Sequence, residues 1–304
     1  MILAAIDIGS NAARLLICET SVYKDGTVDF TKLTLLRIPL RLGFDVFDKG
    51  LVSEEKKKKL IETLKAYKLL MGIYNVEALK ACATSAMRDA ANGPQILEDI
   101  YKETGMKIDI ITGQEEANII YETHIAEKLS DNKSYLYIDV GGGSTEVTLF
   151  SQNHTIFKES FNIGTIRLLH NKVTDEQWEH MKWYIKTYAR DYQPLEAIGT
   201  GGNINKIFSI SKRKEGRPLS LDLLKDYYKE ISYTSLEERK HLYQFRDDRA
   251  DVIVPALQVY ISVMRWALAD EIYVPKIGLA DGLIKILYNE LTNKGNKVSD
   301  LLIR

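Results

Sequence analysis

The chain has 304 residues, 45% hydrophobic and 27% charged, and its 41 Lys+Arg against 42 Asp+Glu leave a formal net charge of −1. That supplies apolar material for one large or two medium cores, and two domains are the expected outcome. Near-neutrality excludes a global field that would draw the protein to nucleic acid or to an anionic membrane, so any affinity for phosphate has to be local.

The first element expected is a β-hairpin: AAIDIGSNAARLLI at 4–17 runs from an apolar strand through Asp-x-Gly and a small-residue turn into a second apolar strand. With no basic segment before it and Asp7 interrupting the apolar run, it reads as a first strand and not as a secretory signal. Strand-like VDFTKLTLLRIPLRL (28–42) follows, then the amphipathic helix SEEKKKKLIETLKAYKLLMGIY (53–74), with Ser53 as N-cap. Glu54 and Glu55 lie four residues before Lys58 and Lys59, so the lysine run reads as a solvated, ion-paired face. VEALKACATSA (76–86), a helix after Pro94, the strand MKIDIIT (106–112) and the helix GQEEANIIYETHIAEKL (113–129) continue the alternation of an α/β lobe.

After the polar stretch SDNKS (130–134) the opening pattern returns as LYIDVGGGSTEVTLF at 136–150. The boundary between lobes therefore falls near 120–133, giving a first lobe of 1–124 and a second of 125–282, with a final helix of about 283–304 packing back on the first. The second lobe carries the helices DEQWEHMKWYIKTYARDY (175–192) and SLDLLKDYYKEI (220–231), and a strand-turn-helix, LEAIGTGGNINKIFSI (195–210), followed by the exposed basic loop SKRKEGRP (211–218). VIVPALQVYISVMRWALA (252–269) contains Pro255, Gln258 and Arg265 and reads as a buried helix, not a membrane span. Cys18 and Cys82 are too few for a disulfide framework; buried thiols in a reducing compartment, the cytoplasm, are expected.

The duplicated hairpin points to chemistry. Gly9 and Gly141, Gly142 and Gly143 let bare backbone approach a ligand, and successive N–H groups in such turns form nests for phosphate oxygens. A carboxylate at the mouth of each nest, Asp7 and Asp139, would repel phosphate unless a divalent cation such as Mg²⁺ bridges them. Seven residues on stand Arg14, which offers a phosphate-binding cation, and Glu146, which offers a second metal ligand; taken singly, each also reads as an ordinary surface or ion-pair group. In ITGQEEA (111–117) Thr112 and Glu115 form a capping box, which employs Glu115 structurally and leaves Glu116 as candidate general base. Arg88 in ATSAMRDAAN is placed to grip phosphate, and Gly201 and Gly202 in GTGG offer a backbone anion site at a helix start. The sequence contains no Walker P-loop, full GxGxxG, HExxH or nucleophile elbow.

AAIDIGSNAARLLI, ATSAMRDAAN, TGQEEA, DVGGGSTE, FNIGTIRL and GTGG together resemble the exopolyphosphatase and guanosine pentaphosphate phosphohydrolase family of the actin-like ATPase superfamily, with fainter matches in RDDRADVIVPAL and GLADGL. The resemblance implies an α/β protein of two actin-like, ribonuclease H-like lobes, each a mixed sheet flanked by helices, around an interdomain cleft. It implies hydrolysis of a terminal phosphoanhydride by water that Glu116 activates. Asp139 and Glu146 would hold Mg²⁺ with help from Asp7; Ser10, Asn11, Arg14, Arg88, Gly141, Gly142, Gly143, Ser144, Thr145, Gly201 and Gly202 would bind phosphates. Polyphosphate or guanosine pentaphosphate is the implied substrate, and a cytoplasmic homodimer of the short, two-lobe form the implied state. Ala12, Asn203 and Ala280 depart from the family pattern. Two further classes fit such a cleft: a regulatory module that binds an alarmone without turnover, and an actin-like phosphotransferase that needs an acceptor.

Overall fold

The structure, a computed structural model, describes residues 1–121, 133–152 and 154–293. The chain divides into two compact units, Met1–Thr123 with Gly278–Arg304, and His124–Ile277. It crosses back into the first unit at Gly278, ahead of the 283 expected from sequence.

The first unit contains β1 (Ile2–Ile8), β2 (Ala12–Val22), β3 (Val28–Pro39), α1 (Leu42–Lys49), α2 (Glu54–Ile73), β4 (Ala78–Ala83), α3 (Ser85–Asp89), α4 (Gly93–Thr104), β5 (Asp109–Ile110) and α5 (Gly113–Tyr121). Its five strands lie in the order β3-β2-β1-β4-β5. β1 to β3 form an antiparallel meander, and β4 and β5 join parallel to β1. β1 is apolar on both faces because both are covered, the pattern of a central strand. Tyr67 of α2 donates to the Ala13 carbonyl at 3.0 Å inside the protein, tying that helix to β2.

The second unit contains β6 (Ser134–Val140), β7 (Thr145–Ser151), β8 (His154–Phe161), α6 (Thr165–Leu169), α7 (Asp175–Ala189), β9 (Leu195–Thr200), α8 (Gly202–Ile210), β10 (Leu219–Ser220), α9 (Leu221–Ser232), α10 (Leu236–Tyr243), α11 (Asp247–Ala250), α12 (Ile253–Trp266) and β11 (Glu271–Tyr273). Its sheet order is β10-β11-β9-β6-β7-β8. Read from the other edge, β8-β7-β6-β9-β11 repeats the first unit's order, with the same antiparallel meander followed by parallel strands. The sequence repeat is thus one part of a repeated sheet. The apolar stretch 252–269 supplies α12, buried in the core of this unit, and no helix among the described residues is long and apolar enough to cross a membrane.

The last helix, α13 (Leu279–Asn293), packs on β1, β2, β4 and α5. It brings Leu279, Ala280, Leu283, Ile284 and Leu287 against Leu3, Ala5, Leu16 and Cys82. The approach to α5 is so close that a Cβ on Gly282 would lie 2.1 Å from the Ile119 carbonyl oxygen. Ala280, one of the three departures, is therefore a packing residue of this core.

Several expectations are corrected. The segment read as extended through residue 42 ends at Pro39, and α1 follows, entered through Arg41 in the left-handed region (φ 54°). The strand expected over 106–112 is only Asp109–Ile110. Lys56 and Lys57 carry the ion pairs of the lysine run, to Asp45 at 2.6 Å and Asp99 at 2.7 Å, because α1 and α4 bring acids to them. The expected helix beyond 121, the stretch 130–132 and the chain past 293 lie outside the described residues.

Candidate active site

In open α/β sheets ligands bind beyond the carboxyl ends of the parallel strands. Every candidate residue in the first unit lies at that end. Asp7 closes β1 and faces Arg14 across the β1–β2 ladder; the guanidinium Nη1 reaches the Asp7 Oδ2 at 2.5 Å. The turn between them is closed by the Gly9 N–H donating to the Ala12 carbonyl at 3.0 Å. Ser10 is turned inward, its hydroxyl 2.8 Å from that of Ser85 at the start of α3, and the backbones of Ser10 and Asn11 accept from Gly43 and Arg41. The unexpected α1 thus holds the first turn.

Arg88 lies in the last turn of α3 and donates through Nη1 to the Ile111 carbonyl at 2.9 Å, which anchors the segment leading to the two glutamates. The capping box is present: Glu115 Oε2 accepts from the Thr112 N–H at 2.7 Å, and the Glu115 N–H donates to the Thr112 hydroxyl at 3.1 Å. The Thr112 N–H and hydroxyl hold the Glu115 carboxyl below its ordinary pKa. Glu116 is half-buried, with Oε2 inside. Burial, then the negative charges of Asp7, Glu116 and Asp109, push the Cys82 thiol well above its usual value. Cys82 is the register partner of Asp7, so the carboxylates of Asp7 and Glu116 act on the same place at the strand ends.

The second unit repeats the turn. Asp139 faces Glu146 across the β6–β7 ladder, and the Gly141 N–H donates to the Ser144 carbonyl at 2.9 Å, as Gly9 does to Ala12. The register that holds an ion pair in the first hairpin holds two carboxylates in the second. Ser160 of β8 donates to Glu146 Oε1 at 2.8 Å and fixes its orientation.

The segment after β8 straps this turn. The N–H groups of Thr165 and Ile166 donate to the carbonyls of Gly141 and Gly142, at 3.0 and 2.8 Å, and Arg167 Nε donates to the Gly143 carbonyl at 2.7 Å. A Cβ on Gly164 would lie 2.4 Å from the Gly143 carbonyl carbon and 2.5 Å from the Gly142 oxygen, so no larger residue fits under the turn. Ser144 and Thr145 are buried, and the Thr145 hydroxyl donates to the Ile163 carbonyl at 2.5 Å. That hydroxyl holds the turn in place.

Gly201 and Gly202 stand where β9 meets α8. Gly201 has φ +101°, and a Cβ there would lie 2.7 Å from Asp139 Oδ1. Tyr260 of α12 lies beneath, donating to the Thr200 carbonyl and accepting from the Val140 N–H at 3.3 Å. It thereby joins the ends of β6 and β9.

Ser160, Gly164, Arg167 and Tyr260 were not assigned from sequence. Gly164 and Arg167 lie in FNIGTIRL, where a glycine ahead of an arginine was the available signal; Ser160 and Tyr260 carried none. Asp139 and Glu146 offer hard oxygen donors suited to a divalent cation such as Mg²⁺. Among the described residues no three His, Cys, Asp or Glu side chains cluster as a complete metal cage. A two-carboxylate site matches an ion that keeps waters and takes substrate phosphate as ligands.

Residues 21–291 match the Ppx/GppA phosphatase family. The chain is 32% identical over 230 residues to a bifunctional 3-dehydroquinate synthase/phosphatase of Fusobacterium nucleatum, covering 70% of this chain and 34% of that one. It is 26% identical over 309 residues to a guanosine-5'-triphosphate,3'-diphosphate pyrophosphatase of Pseudoalteromonas translucida, covering 96% and 60%. It thus spans about a third and about three-fifths of the length of these two relatives. An exopolyphosphatase 1 of Mycobacterium bovis is 27% identical over 311 residues, with 93% and 87% covered. Among solved structures, the Ppx/GppA family member of Aquifex aeolicus superposes with a TM-score of 0.73 at 26% identity over 98% of this chain and 99% of that one. An exopolyphosphatase of Cytophaga hutchinsonii gives 0.81 at 24% identity, covering 96% and 98%. Two mixed sheets flanked by helices, a duplicated Asp-x-Gly hairpin and a family match over most of the chain lead to one conclusion: this protein belongs to the Ppx/GppA phosphatase family and has its actin-like α/β fold.

Proposed function

We propose that the chain is a phosphoanhydride hydrolase that releases terminal orthophosphate from polyphosphate with Mg²⁺ or another divalent cation, and that guanosine pentaphosphate is a second substrate. The family match and the relatives named exopolyphosphatase and guanosine-5'-triphosphate,3'-diphosphate pyrophosphatase support the reaction class. The observation that carries the assignment of roles is the division between adjacent glutamates. Glu115 is committed to capping α5, whereas the Glu116 carboxylate has Oε2 buried and, with Asp7, acts electrostatically on Cys82 at the strand ends.

In this reading groups from both units serve one phosphate chain. Glu116 accepts a proton from the attacking water, a role worth about 10²–10⁴-fold in rate. Asn11, Arg14, Arg88 and the Gly141–Thr145 turn hold phosphoryl oxygens, and fixed N–H and guanidinium donors stabilise charge as it develops there. Asp139 and Glu146 hold the cation with help from Asp7. When bound, the cation supplies neutralisation of phosphate oxygens and a fixed coordination frame. Arg14 holds the buried Asp7 carboxyl in place through their 2.5 Å contact. A phosphate leaving group needs little acid assistance.

The test is orthophosphate release from short polyphosphate, long polyphosphate and guanosine pentaphosphate with Mg²⁺, comparing the native protein with Glu116→Gln. Release that collapses in the variant supports the hydrolase and ranks the substrates. No release from folded native protein would sink it in favour of an alarmone-binding module, and release only with an added acceptor would mark a phosphotransferase. Size-exclusion chromatography with light scattering tests the homodimer.

A further inference from the structure

Thr200 closes β9 directly before Gly201. It is 1% exposed, and its Oγ1 has no hydrogen-bond partner among the described residues. A buried hydroxyl left in this way costs free energy that a valine of the same shape would not. Thr200 is the register partner of Asp139 on the neighbouring parallel strand, so the two side chains project from the same face of the sheet. The Asp139 carboxylate lies against Gly201, so the Thr200 side chain stands on the same sheet face as that carboxylate, one residue before the junction where α8 begins.

A second feature converges there. Arg249 of α11 lies flat on Gly202: a Cβ on that glycine would be 2.7 Å from Nη1 and 2.9 Å from Nη2. Asn203 holds it, its Oδ1 accepting from Arg249 Nη1 at 2.8 Å. Asn203 is thus the docking point of a cation at the positive end of a nine-residue helix. Asp139, Glu146 and Arg249 all act electrostatically on the Tyr260 hydroxyl, after burial itself, so the guanidinium belongs to the same neighbourhood as the two carboxylates.

We propose that Thr200 is a further substrate-binding residue whose hydroxyl donates to a phosphoryl oxygen held at the start of α8, and that Asn203 positions Arg249 on that same phosphoryl group. A hydroxyl donor, a guanidinium and the N-terminal amides of a helix are complementary to phosphate oxygens. Arg249 also offsets the repulsion that Asp139 would impose on an anion so close by. The inference rests on the phosphoanhydride reading for its choice of ligand.

The experiment is isothermal titration of tripolyphosphate with Mg²⁺ into the full chain carrying Glu116→Gln, so that hydrolysis does not interfere. Thr200→Val is expected to weaken binding about tenfold to a hundredfold, the loss of one hydrogen bond to a charged group, and Thr200→Ser to restore it. Asn203→Ala is expected to weaken binding as well, and to add little once Arg249→Ala is present, since both act through one guanidinium. Circular dichroism melting establishes that each variant is folded. Folded Thr200→Val and Asn203→Ala proteins that bind as tightly as their parent would overturn the proposal. Weakened binding in the variants, alongside a native protein that releases no orthophosphate, would support the subsite and refute only the hydrolase. Absence of tripolyphosphate binding in the parent would refute both.

Discussion

Asp139 stands directly opposite Glu146 across the β6–β7 ladder. Like charges in opposed positions destabilise a sheet by about 0.2–1 kcal/mol, while the equivalent pair in the first hairpin, Asp7 and Arg14, attracts.

The opposed carboxylates predict a divalent-ion effect on stability. Mg²⁺ is expected to raise the melting temperature of the native protein, more so with tripolyphosphate present, because a ligand that binds only the folded state stabilises it. Asp139→Asn and Glu146→Gln are expected to melt at or above the native temperature without Mg²⁺ and to lose the Mg²⁺-dependent rise. Differential scanning fluorimetry across an Mg²⁺ titration reads both.

The adjacent glutamates should separate stability from activity. Thr112→Ala removes the cap of α5 and is expected to cost about 1 kcal/mol while retaining most turnover; Glu116→Gln should reduce kcat about 10²-fold or more at nearly native stability. The capping box also sets a pH dependence. Because the folded Glu115 carboxyl titrates below its ordinary value of 4.5, its contribution is complete above that pH and is lost as pH falls through the depressed value. Urea unfolding between pH 3 and pH 6 (roughly the range spanned by the ordinary carboxyl titration) should show this loss in the native protein and not in Glu115→Ala.

Gly164→Ala is expected to be disproportionately harmful for one methyl group. The added Cβ would meet backbone on Gly142 and Gly143 at 2.4–2.5 Å, and backbone cannot step aside as a flexible side chain can. A destabilisation of about 1–3 kcal/mol and a large loss of phosphate release should appear together, in unfolding curves and steady-state assays.

Both thiols should resist alkylation in the folded protein. Burial, foremost, pushes Cys18 up to about 12 and Cys82 well above its ordinary value, so neither supplies thiolate near pH 8. Iodoacetamide labelling followed by mass spectrometry should modify neither residue natively and both in denaturant.

The elements readable in the sequence are those that local backbone physics specifies. Apolar runs broken by Gly-rich turns produced β1–β2 and β6–β7, Thr112 and Glu115 produced their capping box, Ser53 capped α2, and the apolar stretch around Pro255 became the buried α12. Each depends on residues within a few positions of one another, where periodicity and hydrogen-bonding capacity decide. What the sequence left open depends on segments far apart in the chain. α1 forms on the carbonyls of the first turn, Gly164 and Arg167 brace a turn some twenty residues earlier, Tyr260 joins two strand ends from α12, and Asn203 meets Arg249 across forty-six positions. No local pattern encodes such pairings, because their free energy is realised only when the sheets have assembled and brought the partners within hydrogen-bond distance.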